Sequence, residues 1–520
     1  MARSWSRLLG AATSASLLVA GLAVGSVAQA AHHRPAGVKT GGTLVIGESS
    51  ADVGNWDPVA TYEIPWATVM NNVFEGLTFR NPQLQLQPGL ATSWKYLNPT
   101  TLQFQLRKGV TFQDGEPFNA TAVQYTFNRL LGPAGAKGPE QGNYTSIKSV
   151  QVVNPYEVIF HLRAPDPSLL TKLSGYGAVI VPPQYIQKHG AAYFADHPIG
   201  TGPFMVTKYV RGSEIVLTRY PHYWRGPAYL QTVIYKFLPE DSTRLADLQT
   251  GAINVMQAVP IPDVPLLKSN PAYTTYVAVT PTVYEFGFDV TQPPVNNVLV
   301  RRAINMAINV PAIIKAVLKG YAKPISSYQG PLSFGNDPNL KPIPYDPAKA
   351  KALLKQAGVK AGTPITIGYD GTDTTFQEVA QAAASYLDAV GFKVTLMPVE
   401  QNTFYNQDIP DQKAGQMFEF GWGGWTLDFD NTAYLLYMPK QFYNPSFSNP
   451  EVSKLILAER STNNVAARRQ DFYKLDTLLQ QLEPGVNLYD TEEIWATSSN
   501  VQNFVAPPDD RLWLWHTWVK

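Results

Sequence analysis

Hydrophobic and polar positions change period repeatedly along the 520-residue chain, and each change predicts an element. Gly42–Gly47 reads as a first strand, and Thr101–Lys108 alternates apolar and polar side chains as a half-buried strand does. Phe204–Tyr209 and Glu214–Arg219 alternate on either side of Arg211-Gly212-Ser213, which predicts two strands joined by a tight turn. The period is helical at Ala120–Leu131 and again at Asn297–Asn309, where Val300, Ala303, Ile304, Ala307 and Ile308 share one face. Pro311–Lys319 continues as a helix with proline in its first turn and Gly320 as its stop. In Asp346–Gly358, Asp346 suits the N-cap, Pro347 the first turn and Gly358 the C-cap, with Ala350, Leu353, Leu354 and Ala357 as the buried stripe. Pro364–Tyr369, Thr374–Val390 and Phe392–Met397 then read as strand, helix and strand. The helix turns Phe376, Val379, Ala380, Ala383, Leu387 and Val390 inward. A unit of that length implies parallel strands and a right-handed crossover.

The chain opens differently. Arg3 and Arg7 precede an apolar, small-residue stretch, Leu8–Val27, and Val27-Ala28-Gln29-Ala30 supplies a small-x-small cleavage pattern. This predicts an export leader over residues 1–30, cut after Ala30, followed by a polar, disordered tail over 31–41. The sequence has no cysteine, so an exported fold must rest on a large core without disulfides, and no lipid-anchor cysteine is present. An exported protein without such an anchor fits the periplasm. No later segment is long and apolar enough to span a bilayer, so no membrane insertion is expected. The net charge of +1, with 16% charged residues, argues against nucleic acid and anionic membrane as partners. The mature length exceeds one hydrophobic core and predicts two or three lobes.

Four motifs carry a resemblance. Gly200-Thr-Gly-Pro-Phe204 leads through the hairpin to Tyr223-Trp224. Leu90-Ala-Thr-Ser-Trp94 leads through Phe104–Phe118 into the Ala120 helix. The third and fourth are Val300–Asn309 (VRRAINMAIN) and Tyr345–Gly358 (YDPAKAKALLKQAG). Together they resemble the extracellular solute-binding proteins of family 5, the peptide- and nickel-type receptors of ABC importers, from Gly42 to about Asp430. Gln113 stands where a histidine is common in the family, and Thr121-Ala122 replace an acidic pair; both positions look structural. The resemblance implies an α/β fold, a two-lobed periplasmic binding protein (type II, cluster C-like) with an extra inserted subdomain and a hinge between lobes. Lobe one is expected over 42–81, 200–283 and 491–520, the insertion over 82–199, and lobe two over 284–490. The expected role is to bind di- or oligopeptides between the lobes, as a monomer, and deliver them to the permease subunits of an ABC transporter. Nickel complexes, haem, oligosaccharides and opines are the other solutes such relatives take.

The candidate ligand loop is Gly421–Asp430 (GWGGWTLDFD), which follows an apparent strand at Gln416–Phe420. Open α/β sheets bind ligands beyond the carboxyl ends of their strands, where this loop would lie. Gly424 permits close backbone approach, Trp422 and Trp425 offer flat apolar walls, and Asp428 and Asp430 offer negative charge. By the resemblance, Asp428 is the best match for an aspartate that pairs with a peptide's α-ammonium, with Asp430 second. The aspartate-proline step usual in such loops is missing. The competing reading makes Asp428 the cap of a helix at Asn431–Tyr437 and the tryptophans core. Tyr220, Tyr223 and Trp224 read as packing, Glu75 as structural, Tyr62-Glu63 as residues on the cleft side, and Arg301-Arg302 as a solvated face. The seven histidines show no ligating pattern, so neither metal nor cofactor is expected, although His33 would become the third residue after cleavage. No catalytic motif appears. The alternatives to a transport receptor are a hydrolase using Asp428 and Asp430 as paired carboxylates, and a sensing or chaperone role.

Overall fold

The computed structural model describes residues 37–60 and 64–520. The expected leader, His33, most of the tail and Tyr62-Glu63 lie outside the described residues. Lys39–Lys520 pack as one unit. Among the described residues, eleven strands form one mixed sheet. Its order runs Phe392–Val399, Thr363–Asp370, Met417–Gly423, Tyr273–Phe288, Gly485–Ser498, Val255–Met256, Thr43–Glu48, Thr232–Phe237, Glu214–Arg219 and Phe204–Val210. Ala322–Pro324 pairs with Gly485–Ser498 off that path.

The two long central strands join the two halves. Tyr273–Phe288 and Gly485–Ser498 run antiparallel, and their register shifts between Val279 and Val283 and again between Tyr284 and Glu285. Pro281, which has no N–H to give the ladder, sits in the first break. There Thr280 Oγ1 bridges to Thr491 instead, 2.9 Å from its hydroxyl.

Each half has its own core, and so does the region around a separate sheet. Strand residues Phe286, Ile365, Ile367 and Met417 pack against the helices Val298–Ala307, Pro347–Gln356 and Thr374–Val390. The opposite side of that half is filled by Phe420, Phe429, Ile456, Phe472 and Leu475. Leu44, Ile46, Trp56, Trp66, Phe204, Leu217 and Trp495 build the core of the other half. A four-stranded antiparallel sheet (Ala91–Asn98, Thr101–Leu106, Glu157–Leu162, Ile147–Asn154) buries Phe104, Phe127 and Phe160 in a third cluster.

Local chemistry explains the agreement with the sequence pattern. Helix Thr374–Val390 starts where the Asp373 carboxylate accepts from the N–H groups of Thr375 and Phe376, and its six expected inward residues are all buried. Asp346 caps Pro347–Gln356 by accepting from Lys349 N–H at 2.9 Å. Thr363–Asp370 and Phe392–Val399 pair in parallel around the crossover helix. One reading needs correction. Arg301 is not solvated: it is 7% exposed, and its guanidinium donates to the carbonyls of Val295, Leu482 and Glu483. A single sequence does not show that an arginine on a helix flank meets a chain reversal far downstream.

The family-like aromatic cluster is structural. The Tyr223 hydroxyl, the Trp224 indole N–H and the Thr201 hydroxyl all donate to the buried Glu75 carboxylate, at 2.9, 2.7 and 2.8 Å. Burial still raises the Glu75 carboxyl above its ordinary range. Gln113 ties the same corner together, accepting from Gly200 N–H at 3.0 Å and donating to Phe204 O at 2.7 Å.

Candidate functional site

The strand Met417–Gly423 runs three residues beyond the expected Phe420, with Gly421 opposite Tyr284 and Trp422 opposite Val283. A side chain at Gly421 would meet the Tyr284 ring at 3.0 Å, so glycine lets the strand lie against it. The chain then turns tightly. Leu427 N–H donates to Gly424 O at 2.7 Å, and Leu427 takes the left-handed conformation at φ 51°. Helix Phe429–Tyr437 follows at once.

That turn divides the expected site residues into two groups. Trp422 and Trp425 line a cavity of about 530 Å³ together with Tyr405 and Tyr443. Trp422 stacks on Phe420 with ring centroids 5.7 Å apart, meets Tyr443 edge-on at 5.5 Å, and donates from Nε1 to Thr432 Oγ1 at 3.1 Å. Trp425 reaches the other side, edge-on to Tyr176 at 5.5 Å. A Cβ at Gly175 would lie 2.2 Å from the Trp425 ring, so only glycine admits it there. The remaining walls include the amides of Asn143, Gln401, Asn402, Asn406 and Asn431. Every residue lining this cavity is uncharged.

Asp428 and Asp430 belong to the second group. Neither lines the cavity, contrary to the expectation that Asp428 faces a ligand ammonium. Asp428 is 2% exposed, accepts from the N–H of Asp430 as N-cap, and holds Arg468 in a two-pronged pair at 2.8 and 3.1 Å. Arg468 also donates to Glu459 at 2.9 Å. Asp430, 3% exposed, pairs with Arg460 at 2.9 Å and Lys172 at 3.9 Å, and accepts from Ser168 Oγ at 3.1 Å. Burial works against its charge, but Lys172 and Arg460 outweigh it and hold the carboxyl below its ordinary range. Gly424 is buried behind the loop, where a Cβ would lie 2.7 Å from Gln329 Nε2. The paired aspartates give no support to the hydrolase alternative, since each carboxylate is committed to an arginine.

The loop also bridges the structure. Arg80 donates to Thr426 O, while Ser168 and Lys172 reach Asp430 from the region packed on the four-stranded sheet. The sequence reading missed Tyr405, Tyr443 and the amides. Tyr405 lies in a wide, π-helical turn, Phe404–Asp408, just after the strand Phe392–Val399. The rule that places ligands beyond strand ends would have reached that turn had it been applied to this strand as well. Among the described residues, no group of three or more His, Cys, Asp or Glu side chains is arranged to hold a metal ion, and no helix is long and apolar enough to cross a membrane.

The chain as a whole is similar to known proteins. Residues 85–444 match the family model of the bacterial extracellular solute-binding proteins, family 5, middle region. The glutathione-binding protein GsiB of Escherichia coli (strain K12) is 28% identical over 465 residues, covering 87% of this chain and 90% of that protein. The ABC transporter-associated periplasmic binding protein DppA of Helicobacter pylori, solved with the peptide STSA, superposes with a TM-score of 0.77 at 26% identity. The match covers 92% of this chain and 98% of that one. The ABC transporter substrate-binding protein CtaP of Listeria monocytogenes shares the fold at a TM-score of 0.84 and 22% identity, covering 92% and 100%. With the profile matched over most of its length and its two-lobed α/β architecture shared with these binding proteins, the chain belongs to the bacterial extracellular solute-binding proteins of family 5.

Proposed function

We propose that this protein is the solute-binding component of an ABC importer, that it is exported to the periplasm, and that it takes short peptides into the cavity between Trp422 and Trp425. The carrying observation is the cavity itself: about 530 Å³, with aromatic walls and five side-chain amides, lined by Pro139 and Asn143 on one side and by residues between Gln401 and Tyr443 on the other. Aromatic faces supply apolar area that tolerates varied side chains, and amides offer both donors and acceptors to a peptide backbone. Two relatives support the peptide class, one a glutathione-binding protein and the other solved with a peptide. We assign the ligand contacts to Trp422, Trp425, Tyr405 and Tyr443. Asp428, Asp430 and Gly424 shape the loop that carries them. We place the change of lobe at Val283–Tyr284 and Asp490–Thr491, beside the break in the central ladder. Closure over the ligand is a hinge motion, and contacts made only in the closed state drive it.

The uncharged wall favours one second reading, a sugar-like solute stacked on the tryptophans. Tryptophan fluorescence titration separates the two. Di- and tripeptides are expected to quench the signal saturably, and Trp422→Ala to weaken binding about tenfold or more. Saturation by an oligosaccharide with no response to peptides would overturn the peptide assignment.

A further inference from the structure

A second cavity, of about 220 Å³, shares no lining residue with the one between Trp422 and Trp425. It borders the core packed on the helices Val298–Ala307 and Pro347–Gln356, through Ile308, Val486 and Leu488. Four of its walls are prolines, Pro311, Pro324, Pro342 and Pro344, and two are tyrosines, Tyr328 and Tyr345. Every lining residue is uncharged.

The outer wall is the segment from Pro342 to Tyr345, in which Pro342, Pro344 and Tyr345 are exposed. Both of its ends are pinned. Just before it, Ser326 Oγ donates to Leu340 O and Gln480 Nε2 donates to Lys341 O, each at 2.8 Å. Just after it, Asp346 N–H donates to Met306 O at 2.8 Å, and the Asp346 carboxylate caps the helix Pro347–Gln356. Tyr345 also meets Tyr386 edge-on, with ring centroids 5.7 Å apart. Protein interiors leave few voids larger than a water molecule, because atoms lining a void lose contacts on one side. A wall that is held at both ends and stiffened by prolines does not collapse to fill this one.

We propose that this cavity is a second ligand site, and that it takes an uncharged aromatic compound of the phenol or indole type, with its O–H or N–H donated to Asn487. The inference goes beyond the peptide reading and does not rest on it. Size is the first argument. An apolar cavity of about 150 Å³ engineered in another protein takes up benzene, so this one has room for a substituted or fused ring. The flat faces of the prolines and tyrosines suit such a ring. Charge is the second argument: with no charged residue in the lining, an ionic ligand would be buried without a partner. Asn487 is the third. It lines the cavity and donates from Nδ2 to Ser326 O at 3.1 Å, while its buried Oδ1 has no hydrogen-bond partner among the described residues. A buried acceptor left unmatched is destabilising, and a donor on the ligand supplies the missing bond.

The test is calorimetric titration and thermal unfolding of the whole protein with phenol, indole, toluene and benzoate. Phenol and indole are expected to bind saturably and to raise Tm by about 1 °C or more at about ten times their Kd, and benzoate to give no shift. Ile343→Trp fills the cavity from its outer wall, where Ile343 is only half-buried, and Ile325→Phe fills it from the end of the strand Ala322–Pro324. Each variant that keeps the wild-type circular dichroism should bind phenol at least about tenfold more weakly. Asn487→Leu should weaken phenol relative to toluene. Binding of benzoate as tight as that of phenol, phenol binding that survives the filling variants, or no saturable binding of phenol and indole would each overturn the site. An equal effect of Asn487→Leu on phenol and toluene would overturn the role of Asn487.

Discussion

At the scale of single residues, Asp428 shows how far a motif reaches. Its neighbours, glycines and tryptophans after a strand, were enough to mark the loop, and Trp422 and Trp425 do line a cavity. The charge pointed elsewhere, because its partner Arg468 lies 40 residues downstream on another helix, and nothing local announces that contact. The helix-cap alternative was legible, since an aspartate just before an apolar helical run is a common cap. The assignment predicts the behaviour of Asp428→Asn. Removing one member of this buried pair leaves Arg468 partly unmatched and should cost about 3–5 kcal/mol in denaturant unfolding. Peptide affinity of the folded fraction should stay within about twofold. An unchanged stability with lost binding would return Asp428 to the ligand. Glu48 makes a prediction of opposite sign. Its carboxyl is raised from 4.5 to about 8, so the stability it contributes is full below pH 4.5 and is lost as pH rises through 8. Wild type should therefore lose thermal stability from pH 5 to pH 9, and Glu48→Gln should lose less, by about 2 °C or more at the alkaline end. Parallel curves would contradict the burial of the Glu48 carboxyl as the cause.

Elements were more legible than contacts between them. Helix Thr374–Val390 and the capped helix at Pro347 follow from period and cap chemistry, which act within a few residues. The strand through Gly421–Gly423 was cut short because glycine and tryptophan break the alternation, although pairing with Tyr273–Phe288 carries it onward. What no periodicity shows is the clasp made by the loop after that strand. Asp430 meets Lys172 and Ser168, and Thr426 O meets Arg80, so the loop is held against the region of the four-stranded sheet. If the clasp holds the ligand-free protein closed, Lys172→Met should raise the radius of gyration in small-angle scattering by about 1 Å on about 23 Å. Saturating ligand should restore the wild-type value. No change in the ligand-free protein would mean that closure rests on other contacts.

For the whole molecule, composition set useful bounds. A chain without cysteine and with a net charge of +1 has to be held by its cores, and the described residues carry large clusters on both faces of the main sheet's second half. The family motifs carried the fold because each is a packing device: Glu75 with Tyr223 and Trp224, and Gln113 with the Gly200 turn. The ligand was less legible, because the cavity draws on segments from Pro139 to Tyr443 and no one of them announces it. The central claim is that this cavity holds a short peptide. Native mass spectrometry of the protein purified from an osmotic-shock extract, followed by release of whatever it carries, tests this most directly. The account predicts bound masses that fragment as short peptides and are lost in a folded Trp422→Ala variant. A single non-peptide mass, or a peptide load retained by that variant, would contradict it.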